Sequence, residues 1–111
     1  GLYRATTISP RGMVTLLTEV SKRDTLATAF RSTLAVSGRP GTLEKRLRGW
    51  LRGRIMGKTG TLNEVVSLSG YLRTKTLGML AFAIFINDAT PARTATLRRE
   101  IDRLIASWAR L

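Results

Sequence analysis

Neither cysteine nor histidine occurs in this chain. The first absence excludes disulfides and thiolate metal sites, while an exported protein without disulfides stays open. The second removes the commonest general base and the imidazole ligand of metal sites. Aromatic residues are sparse, at 6%, and no known nucleic-acid motif is present. No apolar run approaches the ~20 residues that span a bilayer; the longest, Met79 to Ile86, has the length of a strand. The chain starts at Gly1 without a basic-then-apolar leader, which leaves open a signal peptide removed from it or never included. Acidic residues are also few, 7 Asp and Glu against 19 Lys and Arg, for a net charge of +12.

What is present is ordinary for a globular chain: 111 residues, 43% hydrophobic and 23% charged, enough for one domain around one core. The positive charge is not confined to a tail. Arg39, Lys45, Arg46, Arg48, Arg52, Arg54 and Lys58 gather mid-chain, opposed there by Glu44 alone. Such a surface attracts polyanions: nucleic acid, acidic lipid headgroups or anionic wall polymers. The simplest account of it is a solvated basic face.

Hydrophobic periodicity predicts helices near 10–22, 25–35 and 91–110. Ser9-Pro10 reads as an N-cap followed by proline at the first helical position, and Met13, Leu16, Leu17 and Val20 form a stripe behind it. Leu26, Ala29, Phe30 and Leu34 mark the second helix. Leu97, Ile101, Leu104, Ile105 and Trp108 mark the last, with Arg93, Arg98, Arg99, Asp102, Arg103 and Arg110 on its other face. Ser37 to Gly41 is a turn, and Thr42 to Arg48 is expected to make one or two helical turns. Strands are predicted near 54–61, 64–73 and 79–87, the first two joined at Leu62-Asn63-Glu64 as a hairpin. The fold class is α+β, an antiparallel sheet flanked by helices. Three strands leave two sheet edges open, which points to missing chain.

The stretch Gly53 to Tyr71 supports two chemistries. Gly57-Lys58-Thr59 matches the end of a phosphate loop, but that motif needs its first glycine at position 52, which is Arg52. Gly60 and Val65-Val66 also favour strand where the loop demands a helix. Lys58-Thr59-Gly60-Thr61 instead fits one wall of a serine acyl-transfer site. There a lysine supplies positive potential and relays protons. A threonine hydroxyl binds a substrate carboxylate, a glycine lets an extended peptide lie alongside, and the next backbone N–H serves an oxyanion hole.

The segments "GTLEKRL", "GKTGTLNEVVSLSGYL" and "LGMLAFAIFIN", with the opening "GLYRATTISP", resemble the C-terminal region of the D-alanyl-D-alanine carboxypeptidase/endopeptidase family, the low-molecular-mass class C penicillin-binding proteins. The resemblance covers essentially the whole chain. It departs from the family at Tyr3, where serine is usual, and at or beside Thr6, where asparagine is common. It implies the C-terminal part of a serine β-lactamase/DD-peptidase-like fold with a five-stranded sheet. The implied activity is hydrolysis of peptidoglycan stem peptides ending in D-Ala-D-Ala through a serine acyl-enzyme that β-lactams trap, in a periplasmic or extracytoplasmic compartment, with no cofactor or metal. By the same resemblance Lys58 is catalytic, and Thr59, Gly60 and Thr61 bind substrate. Ser67, Ser69 and Tyr71, alternating on the next strand, read as structural.

That family also needs Ser-x-x-Lys and Ser-x-Asn. None of Ser9, Ser21, Ser32, Ser37, Ser67, Ser69 and Ser107 is followed by either pattern. The nucleophile is therefore not in this chain, and the N-terminal part of the same protein becomes its expected partner. The competing class, a basic module for nucleic acid or another polyanion, rests on charge alone, so no specific nucleic acid is expected.

Overall fold

The computed structural model describes residues 9–62 and 64–111. The opening segment with Tyr3 and Thr6, and Asn63 in the hairpin connection, lie outside the described residues. The elements are α1 (Pro10–Ser21), α2 (Asp24–Arg31), β1 (Ala35–Val36), β2 (Ile55–Leu62), β3 (Val65–Arg73), β4 (Met79–Ile86) and α3 (Thr94–Ala109), with short 3-10 turns at Gly49–Leu51 and Pro91–Arg93. The sheet is antiparallel, in the order β1-β2-β3-β4.

Local chemistry sets these boundaries. Ser9 Oγ accepts the Gly12 N–H at 2.9 Å and Pro10 opens α1, as capping requires. Of the expected stripe, Leu17 is buried while Leu16 faces out. The second helix ends at Arg31, not at 35: the Ser32 and Thr33 hydroxyls donate to the carbonyls of Ala29 and Phe30 at 2.6 and 2.7 Å. The freed residues make β1, a fourth strand where the sequence predicted three. Ser37 then staples β1 to β2. Its N–H donates to Ile55 O at 2.9 Å, its hydroxyl to Leu51 O at 2.8 Å, and the same Oγ accepts the Ile55 N–H at 3.2 Å.

Residues 42–45 form a turn and 46–47 a bend, not the expected helical turns. Leu47 sits at φ 54°, a left-handed conformation that breaks any helix there and is costly for a bulky residue. Burial of Leu43 and Leu47 in the core offsets that cost. Arg46 adds a two-pronged bond to Asp102 of α3, at 3.0 and 2.7 Å, the strongest geometry for such a pair.

The sheet has helices on both faces. Alternation along β2 and β3 sends Ile55, Val66, Leu68 and Leu72 towards α3, where they meet Leu97, Ile101, Ile105 and Ala109. Met56, Tyr71 and Ala81 face the other way, onto Met13, Leu17 and Phe30 of α1 and α2. The β2–β3 ladder runs without a break from Ile55↔Leu72 to Leu62↔Val65, and Glu64 turns at φ 61°. No described helix is long and apolar enough to cross a membrane.

Candidate active-site edge on strand β2

β1 reaches only Met56 and Gly57 of β2. From Lys58 onward, the outer edge of β2 has no strand partner among the described residues. The bonds between Ser37 and Ile55 fix which way the backbone points: both the N–H and the C=O of Ile55 face outward, away from β3. In an unbroken antiparallel ladder that direction alternates. Thr59 and Thr61 therefore also present N–H and C=O to the open edge, and Lys58 and Gly60 bond to β3.

The side chains divide differently. Lys58 and Gly60 lie on the face of α1 and α2, and Thr59 and Thr61 on the face of α3. The four residues share an edge, not a face. Lys58 is exposed, and its Nζ donates to the outward-facing carbonyl of Thr59 at 3.0 Å, which brings the amine to the edge. On the opposite face the Thr61 Oγ1 accepts from the Arg98 guanidinium at 2.9 Å. A positive group thus flanks each side of the exposed backbone. A side chain at Gly60 would meet Ser67 Oγ at 2.6 Å, so the space this glycine frees lies against β3 on the Lys58 face.

Ser67 stands opposite Gly60, and Ser69 opposite Lys58. The Tyr71 hydroxyl donates to Leu17 O at 2.7 Å, tying the sheet to α1. Burial raises its pKa above the ordinary 10.0, and the Arg31 charge works against that shift. A depression of about 260 Å³ opens on this face beneath α1, lined by Thr18, Ser21, Arg31, Met56, Tyr71 and Met79. None of the four edge residues lines it. No group of three acidic side chains gathers as a metal site requires, among the described residues. The phosphate-loop alternative fails here, because Thr59 continues β2 to Leu62 and a second strand follows where that loop needs a helix.

Arg98 is the site residue that sequence reasoning did not single out. It lies 37 positions beyond Thr61, and in the sequence it is one of several arginines on the polar face of a helix. Only the packing of α3 on the sheet, against β3, lets its long side chain reach Thr61 on β2.

An antiparallel sheet between helices is the fold that this chain shares with penicillin-binding DD-peptidases. The chain overlays on penicillin binding protein 4 of Haemophilus influenzae in complex with a β-lactam at a TM-score of 0.84 and 25% identity, covering 99% of this chain and 27% of that one. A second structure of that protein gives 0.82 at 23% identity, covering 97% and 26%. A penicillin G-acylated predatory endopeptidase from Bdellovibrio bacteriovorus shares the fold at 0.66 and 20% identity, covering 96% and 31%. The profile of the D-Ala-D-Ala carboxypeptidase 3 (S13) family matches residues 1–108, and the chain belongs to that family. It spans about a quarter of the length of these solved relatives. No curated protein sequence matches it.

Proposed function

We propose that this chain is the C-terminal wall of the acyl-transfer site of an extracytoplasmic serine D-Ala-D-Ala carboxypeptidase acting on peptidoglycan stem peptides. The observation that carries the reading is the open edge of β2 from Lys58 to Thr61, with the Thr59 and Thr61 backbone facing out and the Lys58 amine drawn to it. An extended peptide ending in D-Ala-D-Ala adds to this edge as a further strand, main chain to main chain. The Thr61 N–H donates to the carbonyl oxygen under attack and holds the negative charge that develops there. Lys58 supplies positive potential beside the nucleophile and a path for its proton. The Thr59 hydroxyl takes the substrate carboxylate. Gly60 leaves room for the β2–β3 ladder to stay tight beneath the substrate.

The nucleophile comes from polypeptide outside these 111 residues, on a Ser-x-x-Lys motif, with a Ser-x-Asn motif as the other wall. The sequence holds neither motif. Without them the residual contribution of binding and half an oxyanion hole does not form an acyl-enzyme. The 111-residue chain alone is therefore not acylated by penicillin, whereas the longer protein is. Incubation of each with a fluorescent penicillin, followed by a denaturing gel, tests this. A covalent band on the 111-residue species, or none on a longer protein carrying both motifs, overturns the reading.

A further inference from the structure

Trp50 stands 42% exposed on the turn before β2, and three cations converge on its indole. Lys75 Nζ lies 5.0 Å from the ring centroid, Arg54 Cζ 5.6 Å and Arg110 Cζ 5.8 Å. They arrive from three places: the turn just before β2, the β3–β4 turn and the C-terminal cap of α3. Backbone bonds hold that convergence. The Lys75 and Thr76 N–H groups donate to Ala109 O and Leu111 O at 3.0 and 2.9 Å, docking the turn on the helix end. The Arg54 guanidinium donates to Trp50 O at 3.2 Å and to the carbonyl of exposed Arg73 at 3.4 Å.

The ion pairs among the described residues are Lys22–Glu19, Arg46–Asp102 and Arg103–Glu100. None involves this cluster. Three like charges around one ring repel one another, and the attraction of each for the indole offsets that only weakly. An anion seated among them would relieve that repulsion. Leu77, in the same turn as Lys75, is 61% exposed, so that turn also presents an apolar side chain.

We propose that this end of the sheet docks the chain on an anionic phospholipid surface. The cations meet the headgroup phosphates, Trp50 takes the interfacial level that suits an amphipathic ring, and Leu77 reaches the acyl boundary. A single-stranded nucleic acid calls for a row of aromatic platforms; this end has one indole, already engaged by cations. Docking here leaves Lys58 to Thr61 some way along β2, roughly 13–23 Å from Arg54 at about 3.3 Å per residue, and so clear of the surface. The proposal stands whether or not the acyl-transfer reading does.

Co-sedimentation of the 111-residue chain with phosphatidylcholine vesicles, pure or mixed equally with phosphatidylglycerol, tests it. Binding is expected to the anionic vesicles alone, with a blue shift in tryptophan emission that is lost in Trp50→Phe, which retains Trp108. Lys75→Gln with Arg110→Gln should cut partitioning about 25-fold, about fivefold per charge. Arg93→Gln with Arg99→Gln removes the same charge near the other end of α3, and should change it by about twofold or less. Near-UV circular dichroism establishes that each variant stays folded. Equal binding to neutral vesicles, equal losses in the two double variants, or an unmoved emission spectrum overturns the proposal. So does binding of random-sequence DNA that Lys75→Gln/Arg110→Gln abolishes while vesicles go unbound, since the surface then belongs to a nucleic acid.

Discussion

Gly70 and Gly60 face each other's strands in the same hairpin, yet they are glycines for different reasons. A Cβ on Gly70 would run into the Met56 carbonyl oxygen and would stand 2.7 Å from Gly57 Cα. Both obstacles are backbone, so the strands must part to admit it. Gly70→Ala is expected to cost about 3 kcal/mol or more, the upper end of overpacking penalties, and to lower Tm by on the order of 10–20 °C. A Cβ on Gly60 meets only the Ser67 hydroxyl, which can rotate aside, so Gly60→Ala is expected to fold with a loss of about 1 kcal/mol or less. Equal losses in thermal melts of the two variants would refute the distinction. Tyr71 carries a pH signature instead. Burial raises its folded pKa above 10.0, so the native state holds the phenolic proton at a pH where the unfolded chain has released it. Its contribution is complete below about pH 10 and is lost as pH climbs from there through the folded value. Tyr71→Phe also removes the bond to Leu17 O, costing about 1 kcal/mol at neutral pH. Urea unfolding from pH 8 to 11 should show the wild type converging on the variant above pH 10; a constant gap contradicts the assignment.

Among the elements, β2 is the one on which the functional reading depends, and its two edges are distinguishable by proline. Proline has no N–H to donate, so it breaks a ladder only where that N–H is used. The Thr61 N–H faces the open edge, and the Gly60 N–H bonds to β3. Thr61→Pro should therefore fold at a cost of about 1 kcal/mol, whereas Gly60→Pro should cost about 3 kcal/mol or more. Chemical denaturation measures both, and the reverse order would mean that β2 presents its other set of backbone groups. The alternation Val66, Leu68, Leu72 and the unbroken run Met79 to Ile86 are periodic signals carried by the residues themselves, so the hairpin and the two-sided β4 were legible in the sequence. The candidate stretch Lys58 to Thr61 drew notice because its four letters are contiguous, and it lies within β2. β1 was not, since two residues show no period and Leu34 continues a helical stripe that the Ser32 and Thr33 hydroxyls cut short. The turn and bend at 42–47 were hidden for a similar reason: Leu43 and Leu47 are spaced for a helix, and only the left-handed φ at Leu47 excludes one. Arg98 belongs to neither kind, because its bond to Thr61 arises only once α3 packs on the sheet.

For the molecule as a whole, the sheet ends on β4, whose outer edge pairs with nothing among the described residues. The bonds that close the ladder alternate from β2 through β3, so Leu80, Phe82, Ile84 and Ile86 bond to β3, and Ala81, Ala83 and Phe85 turn their N–H groups outward. An eight-residue apolar edge of this kind invites a second strand, and in the isolated 111-residue chain the strand available is β4 of another copy, antiparallel across a twofold axis. Opposing that is a charge of +12 on each copy, which acts over about 30 Å at 0.01 M salt but only about 10 Å at 0.1 M. Self-association should therefore strengthen with salt, the reverse of the vesicle binding at the Trp50 end. Sedimentation velocity should show the 12.3 kDa chain moving towards twice that mass as concentration rises at 0.5 M salt, and staying near monomer at 0.01 M. Ala83→Pro removes an outward N–H without touching the β3 ladder, so it should remain monomeric at both and keep its far-UV spectrum. If it associates as the wild type does, the contact lies elsewhere, and the open edge of β2 becomes the strand to block next with Thr61→Pro.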